Sequence, residues 1–498
     1  MRSRNRILAA VAALAATAAC HPSPAAVRLA PDTAVTRPLD TLRRDIDAAL
    51  GQPLLAHGSW GVLVKSLKTD ETLYALNAGK LMLPASNMKI VTLAAAAERL
   101  GWDYRYETRV STPGLINGVI DGDVRVVGSG DPSLGTVDGI ADGVFTRFAE
   151  QLKTAGIRAI AGRIVAIGES PGEQLGFGWS WDDLQDDYAA GVSALQFNEN
   201  MVQATVGPGP AVDDYAAISV SPAHSGLAVR ATASTVAAGT PAAVHVRRLP
   251  ASSTLEISGT IALGTAPRVL SVSVDNPTQF FLESMRAALI ANGIDVRGPA
   301  VDIRDEQPPP APLAGPMWTL YTSAPLSTLA MRLMKASQNQ YAETFLRTMT
   351  GWSSLIAADT GSQVSMRTLE TWGVRPSDVI QRDGSGLSRY DFVTPEALVM
   401  ILTHVDRDPR LKGPFEASLP IAGGDGTLAN RMKGTPAEGN ARAKTGSMTA
   451  VRGLSGYVTS ADGEPLVFSI LANNFDTPAA AVTQTTDAIV VQLARFRR

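Results

Sequence analysis

The sequence predicts an α/β (α+β) protein in which segments of mixed helix and strand flank a large β-rich insertion. With 498 residues the chain is too long for one core of ordinary size, so two or more domains are expected. Apolar residues make up 45% and charged residues 18%, a composition that excludes a disordered or fibrous protein. Helix and strand signals alternate toward both ends of the chain, whereas short alternating apolar runs dominate its middle.

The N-terminal residues 1–19 are typical of a secretory signal peptide. Three arginines precede an uncharged, Ala-rich stretch over residues 7–19, which is too short to span a bilayer. The only cysteine, Cys20, follows in a segment that resembles a lipoprotein signal, although Thr17 departs from the usual leucine. We expect a lipid on Cys20, with plain cleavage beside it as the alternative. The Pro- and Ala-rich residues 20–40 then form a flexible tether.

The next segment predicts a strand and then a helix. A strand-like run occupies residues 60–67, and an apolar pattern predicts a helix over residues 86–100. Ser86 is a candidate N-cap of this helix, and Gly101 ends it.

Residues 106–275 contain short alternating runs separated by Gly, Pro, Asn and Asp, which indicates a β-rich region. A helix follows over residues 277–292. We therefore assign residues 41–105 and 301–498 to one domain, and residues 106–300 to an inserted β-rich region.

Charge and metal-ligand content exclude several function classes. The net charge of −3 gives no electrostatic footprint for nucleic acid. No two of the five histidines lie within five residues of each other, and the lone cysteine provides no thiolate partner. We expect no metal site and no cofactor.

Ser86 and Lys89 form an S-x-x-K motif on the predicted helix. Residues three apart share one helix face, so a lysine amine there lies within reach of the serine hydroxyl. A serine becomes a nucleophile only beside a base, and lysine is a base only when uncharged. Burial and a second cation lower its pKa. Alone, the motif fits an N-cap serine beside a solvated lysine better than it fits a catalytic pair.

Two further segments favour the catalytic interpretation. Ser337-Gln338-Asn339 follows an apolar helical pattern, and Lys444-Thr445-Gly446-Ser447 precedes a strand-like run over residues 453–459. Each segment alone fits an ordinary turn. In this order after an S-x-x-K helix, the three match the motif set of serine acyl-transferring enzymes that react with penicillin.

The sequence resembles the class C low-molecular-mass penicillin-binding proteins over roughly residues 45–495. These are D-alanyl-D-alanine carboxypeptidases and endopeptidases. Matching segments stand in family order: Leu83–Lys89, Lys335–Asn339, Asp383–Arg389 and Ala443–Ser447. Ser86 and Ser337 are 251 residues apart, and the excess matches the family's large insertion. The resemblance implies a β-lactamase/transpeptidase-like serine DD-peptidase domain, with an antiparallel sheet flanked by helices.

The resemblance also implies a role for each motif residue. Ser86 is the nucleophile and Lys89 its base, while Ser337 relays the proton and Asn339 orients Lys89 and the substrate amide. Lys444 and Thr445 bind the terminal carboxylate, and Gly446 and Ser447 complete this substrate-binding motif. Backbone N–H groups of Ser86 and Ser447 form an oxyanion hole.

A substrate side-chain pocket is implied as well. The segment 178–188 resembles the loop that reaches the site in relatives, and Asp183 and Tyr188 match its acidic and aromatic contacts. Arg389 and Thr449 are further candidates. The alternative is that this acidic segment is a solvated loop. Gln338 departs from the aspartate usual in the middle motif, a change that we expect to leave the chemistry intact.

The implied function is hydrolysis of peptidoglycan stem peptides by a periplasmic, penicillin-binding enzyme. β-Lactams are the implied inhibitors, and contact with a membrane is confined to the lipid on Cys20. One alternative is a β-lactamase, although no E-x-x-x-N segment supplies its deacylation base. Another is a non-catalytic module that binds the wall or senses β-lactams. The sequence leaves carboxypeptidase and endopeptidase activity both open.

Overall fold

A computed structural model describes residues 38–135, 143–166, 175–303, 317–352 and 357–498. The predicted signal segment and Cys20 lie outside these ranges, as does the predicted tether up to residue 37. Residues 38–40, predicted to belong to the tether, instead begin the first helix. None of the helices in the described ranges combines the length and apolar character needed to cross a membrane.

The described residues form ten α-helices. In chain order they are α1 (Pro38–Leu50), α2 (Met88–Leu100), α3 (Gly143–Thr154), α4 (Pro277–Ala291), α5 (Leu326–Lys335), α6 (Asn339–Thr348), α7 (Ala357–Thr371), α8 (Pro395–Arg407), α9 (Pro409–Ser418) and α10 (Ala479–Arg495).

The same ranges contain 23 strands. They are β1 (Ser59–Ser66), β2 (Thr72–Leu76), β3 (Glu107–Ser111), β4 (Leu115–Ile116), β5 (Val119–Ile120), β6 (Val124–Gly128), β7 (Ala159–Ile160), β8 (Ile164–Ala166), β9 (Met201–Gly207), β10 (Ala217–Ser221), β11 (Ala228–Ala231), β12 (Ser234–Val236), β13 (Val244–Arg248), β14 (Thr254–Ala262), β15 (Arg268–Ser273), β16 (Asp295–Val296), β17 (Ala300–Val301), β18 (Met317–Thr322), β19 (Val379–Ile380), β20 (Phe392–Val393), β21 (Arg442–Met448), β22 (Val451–Thr459) and β23 (Pro465–Asn473).

A five-stranded antiparallel sheet organises the first and last parts of the chain, in the order β2-β1-β23-β22-β21. Its strands alternate between two apolar layers because successive side chains point to opposite faces. Leu63 of β1 belongs to an apolar core that includes residues of helices α2, α5, α6, α8 and α9, whereas its neighbours Val62 and Val64 belong to a core that includes residues of α1 and α10. The helix-flanked antiparallel sheet confirms the predicted fold class.

The large β-rich insertion is also confirmed. Strands β3–β17 form four sheets with β18, and a separate apolar core joins them to α3 and α4. Aromatic rings pack against each other in this core, and the ring centroids of Phe145 and Phe197 are 4.7 Å apart. Strand β18 pairs with β3, so the sheet continues beyond residue 300. The domain limits assigned from the sequence stay predictions.

The start of α2 differs from its prediction. Ser86 lies in a 3-10 helix over Ala85–Asn87, and Asn87 is the cap residue of α2, without a side-chain cap bond. The prediction that Ser86 caps the helix is therefore wrong. Its hydroxyl oxygen instead contacts the Lys89 amine at 2.9 Å. The helix end at Gly101 is confirmed, with a positive φ of 80°.

The Lys444–Ser447 motif lies within strand β21 and precedes a further strand, as predicted. Its antiparallel partner is β22, which contains the run predicted over residues 453–459. The motif is thereby held on the edge of the five-stranded sheet.

Candidate active site

The Lys89 side chain occupies the first turn of α2 and is completely buried. Its Nζ lies 2.9 Å from the Ser86 Oγ, 2.6 Å from the Asn339 Oδ1 and 2.9 Å from the Ser385 carbonyl oxygen. Three stretches that are far apart in sequence therefore meet at one amine.

The polarity of these contacts constrains the Lys89 amine. The Ser385 carbonyl only accepts hydrogen bonds, and the Asn339 Oδ1 likewise, because the other end of that amide donates to the Tyr188 carbonyl at 2.7 Å. A neutral amine has two N–H groups, and these two acceptors use both. Its lone pair is then directed at the Ser86 hydroxyl, as a general base requires.

Burial lowers the pKa of Lys89 to about 7, because the ammonium form loses its hydration. Nearby carboxylates of Asp383, Glu343 and Asp391 oppose this shift by favouring the charged form. The opposing effects leave the amine close to balanced between its two protonation states at neutral pH.

Lys444 is the second buried amine. It donates to the Ser337 Oγ at 2.8 Å and to the Thr445 carbonyl at 2.9 Å. Burial, together with the charge of Lys89, places the pKa of Lys444 well below its usual value. Ser337 has a left-handed backbone with φ of 60°, an uncommon conformation that positions its hydroxyl for this contact.

Gly446 allows β21 to lie directly against the 3-10 helix that carries Ser86. A Cβ at Gly446 would be 2.6 Å from both the Pro84 carbonyl oxygen and the Asn87 Nδ2, closer than packed atoms allow. The preceding residue in the strand, Thr445, has its hydroxyl oxygen 2.8 Å from that of Thr427. The close approach explains why glycine occupies this position in the motif.

The motif residues open onto a cavity of about 390 Å³. All of the predicted catalytic and substrate-binding residues except Lys89, Lys444 and Gly446 line it directly, namely Ser86, Asp183, Tyr188, Ser337, Asn339, Arg389, Thr445, Ser447 and Thr449. The two amines lie behind this lining, where each contacts one of its serine hydroxyls. The rest of the lining was not predicted and consists of Ser180, Gly386, Leu387, Thr427 and Met448.

The predicted pocket loop also reaches the cavity. The Tyr188 hydroxyl oxygen lies 2.8 Å from an Asp183 carboxylate oxygen and 2.9 Å from one of Asp186, and its single proton can be donated to either, so the three side chains form a group beside the site. Across the cavity, an Arg389 guanidinium nitrogen lies 3.4 Å from the Thr449 carbonyl oxygen.

Buried carboxylates support the Lys89 site from behind. Glu343 accepts from the backbone N–H groups of Gly384 and Ser385 at 3.0 and 2.9 Å. Asp383 accepts from the Gly386 and Ser388 N–H groups at 2.6 and 2.7 Å. Together they hold the segment whose carbonyl contacts Lys89. Burial and the charge of Asp383 raise the pKa of Glu343 to about 7.

Sequence reasoning did not find Glu343. Asp383 stands within one of the family segments, but nothing in the sequence indicates that Glu343 packs against it. In the described part of the chain, no three His, Cys, Asp or Glu side chains are grouped so as to hold a metal ion.

Comparison with known proteins gives matches over nearly the whole chain. Residues 42–496 match the D-Ala-D-Ala carboxypeptidase 3 (S13) family. The chain is 34% identical over 475 residues to a D-alanyl-D-alanine carboxypeptidase of Actinomadura sp. (strain R39), covering 92% of this chain and 85% of that protein. It is 27% identical over 455 residues to the D-alanyl-D-alanine carboxypeptidase DacB of Haemophilus influenzae, covering 90% and 91%.

A solved structure agrees with these matches. The crystal structure of penicillin-binding protein 4 (dacB) from Haemophilus influenzae superposes with a TM-score of 0.79 at 26% identity, covering 91% of this chain and 99% of that one. The findings confirm the resemblance and favour a carboxypeptidase over a β-lactamase or a non-catalytic module. With its Ser86, Ser337 and Lys444 motifs gathered at one cavity, the chain belongs to the D-Ala-D-Ala carboxypeptidase 3 (S13) family.

Proposed function

We propose that this serine D-Ala-D-Ala carboxypeptidase cleaves peptidoglycan stem peptides through an acyl-enzyme on Ser86. The observation that carries the proposal is the bonding of Lys89, whose two acceptor-only partners leave its lone pair for the Ser86 hydroxyl. A pKa of about 7 keeps a large fraction of that amine in the basic form at neutral pH.

In the first step the Ser86 Oγ attacks the carbonyl carbon between the two D-alanines, and its proton passes to Lys89. The carbonyl π electrons move onto oxygen to form an oxyanion. Backbone N–H groups of Ser86 and Ser447 stabilise this charge, an effect worth about 3 kcal/mol per donor in other acyl-transfer enzymes.

In the second step the C–N bond breaks, and the terminal D-alanine leaves as a neutral amine. Its nitrogen takes a proton from Lys89 through the Ser337 hydroxyl, while Asn339 holds Lys89 and the substrate amide in line. Water then attacks the acyl-enzyme and gives one proton back to Ser86, which releases the shortened peptide as its acid.

Substrate binding follows from the cavity walls. Lys444 and Thr445 would hold the terminal carboxylate, since a carboxylate stabilises a protonated Lys444. Asp183, Tyr188, Arg389 and Thr449 would bind the amino-bearing side chain of the stem peptide. A β-lactam presents a strained amide beside a carboxylate and would acylate Ser86 by the same first step.

We also propose that the enzyme acts in the periplasm, tethered by a lipid on Cys20. The support is the pattern of residues 1–20, with the only cysteine of the chain at the lipid position. In that case the expressed protein partitions into a detergent phase and Cys20→Ala into the aqueous phase, whereas equal partition would exclude the anchor.

The nucleophile is tested by labelling with a fluorescent penicillin, with Ser86→Ala as the variant. We expect the wild type to label and Ser86→Ala to lose labelling and release of D-alanine from a pentapeptide. Ser180→Ala removes another cavity hydroxyl and serves as the matched control, with labelling retained. Equal labelling of wild type and Ser86→Ala would reject Ser86 as the nucleophile. Mass spectrometry of digested muropeptides then separates carboxypeptidase from endopeptidase activity.

A further inference from the structure

The segment Lys335–Gln340 is fixed on several sides at once. Ser337 and Asn339 contact the two buried amines. Lys335 contacts Asp425 at 2.5 Å, so the segment is tied to the peptidase part at its start as well. Gln338 lies between Ser337 and Asn339 in the sequence, but its side chain contacts neither amine and bonds to Glu199 instead.

Gln338 contacts the inserted region through Glu199. The Glu199 Oε2 lies 2.5 Å from the Gln338 Nε2, and its two oxygens accept from the Arg332 guanidinium at 2.8 and 3.0 Å. Only 1% of Glu199 is exposed. A buried carboxylate is costly unless its oxygens are bonded, and here both are.

The backbone around Glu199 is unusual. Asn198, Glu199 and Asn200 all have left-handed φ values, of 52°, 53° and 57°. Asparagine tolerates this conformation but glutamate gains nothing from it, so the surrounding structure must impose it. This strained turn places the Glu199 carboxylate within hydrogen-bond distance of Gln338 in the motif segment.

The same turn is bonded to the start of α6. The Asn200 amide donates to the Gln196 Oε1 at 3.0 Å, and the Gln340 amide donates to that same oxygen at 2.6 Å. Gln196 in turn donates to Thr344 at 2.9 Å. The inserted region therefore forms hydrogen bonds with the segment at Gln338, through Glu199, and again at Gln340, through Gln196.

The amide side chain at position 338 is complementary to the Glu199 carboxylate. Where the family pattern has aspartate, this chain has an amide that donates to a carboxylate. An acid at position 338 would set a second, partly buried carboxylate against the buried Glu199, which favours protonation of one or separation of the pair. The departure from the family pattern thus has a physical counterpart in Glu199.

We propose that Glu199 is a positioning residue for acylation, acting through Gln338. By fixing Gln338 it fixes the backbone between Ser337 and Asn339, and so the contacts of those side chains with Lys444 and Lys89. The inference rests on the proposed function, because acylation of Ser86 is its readout.

The test is an exchange of partners in the full-length protein. Glu199→Gln and Gln338→Glu each keep side-chain size, and the double variant restores a donor opposite an acceptor. We expect the acylation rate constant with a chromogenic β-lactam to fall about fivefold in Glu199→Gln, and tenfold or more in Gln338→Glu. The double variant should return to within about threefold of the wild type.

Melting temperatures and a matched control separate positioning from general stability. Glu256→Gln removes another carboxylate of the inserted region, which pairs with Arg230 and Arg247, and should acylate like the wild type. A merely structural role predicts lower melting temperatures with no recovery of rate in the double variant. Unchanged acylation in Glu199→Gln, or effects that multiply in the double variant, would overturn the inference while the proposed function stands. A wild type that no β-lactam acylates would overturn both.

Discussion

The two buried lysines of the site, Lys89 and Lys444, have similar surroundings in all but charge. Each is completely buried and each contacts a serine hydroxyl, at 2.9 and 2.8 Å. Three carboxylates oppose the loss of charge at Lys89, whereas the charge acting on Lys444 is that of Lys89 itself. The pKa of Lys89 therefore falls only to about 7, and that of Lys444 falls well below its usual value.

This difference separates two tasks that one kind of side chain performs. An amine whose pKa lies near the working pH both takes up and gives back a proton readily. Burial lowers the pKa of Lys444, and a bound anion would oppose that shift by stabilising the ammonium form. In the proposed mechanism, the acidic residues behind Lys89 favour its part in proton transfer. The charges acting on Lys444 include no such acid, which favours its proposed part in carboxylate binding.

The largest expected effect comes from removing the two amines in turn. Lys89→Met keeps an unbranched side chain but removes the base, so the limiting acylation rate should fall about 10²–10⁴-fold. Lys444→Met removes a charge-assisted partner of the substrate carboxylate. It should raise the half-saturating β-lactam concentration roughly tenfold or more, with a smaller change in limiting rate. Stopped-flow acylation over a range of concentrations measures both quantities.

Ser180→Ala provides the baseline for these measurements, since it changes the cavity wall without touching either amine. If both lysine variants lost the same factor in limiting rate, the division between base and anion site would be wrong.

A smaller effect concerns pH. Raising the pH deprotonates Lys89, so the acylation rate should climb about tenfold per pH unit below pH 7 and level off above it. The Glu343 carboxylate raises the pKa of Lys89. In Glu343→Gln the rising limb should therefore move to lower pH, by less than about one unit. The amide oxygen still accepts from the Gly384 and Ser385 N–H groups.

Asp391→Asn is the matched control for this shift. Burial raises the pKa of Asp391 well above its usual value, and Asp391 acts on the pKa of Lys89 less than Glu343 does, so its replacement by asparagine should change that pKa less. Rates measured from pH 5 to 9 should show a clear displacement in Glu343→Gln and a smaller one in Asp391→Asn. A limb that moved to higher pH in Glu343→Gln would contradict the charge argument.

The sequence was sufficient to predict the parts of the site that are coded locally. Ser86 and Lys89 are three residues apart on consecutive helical turns, and the Ser337 and Lys444 motifs are equally short. The antiparallel sheet and the β-rich insertion were predicted correctly as well. The role of Ser86 as a helix cap was predicted wrongly, because the preference of serine for cap positions does not reveal that its hydroxyl instead contacts the Lys89 amine three residues later.

Contacts that join distant segments could not be predicted. Glu199 meets Gln338 across 139 residues, and Glu343 meets Ser385 across 42. Neither glutamate belongs to a short motif, and neither has an alternating or helical pattern that distinguishes it from a surface acid. Their burial depends on how the insertion and the helices pack, which the order of residues in each segment does not reveal.

The Asn339 amide, bonded at one end to Lys89 and at the other to the Tyr188 carbonyl, couples recognition to chemistry. A substrate group that displaced Tyr188 would take away the acceptor at one end of this amide, whose other end is a hydrogen-bond partner of the Lys89 amine. Discrimination among stem peptides should therefore be visible in turnover as well as in affinity. An attempt to broaden this enzyme's range by reshaping the loop would alter its speed for every substrate.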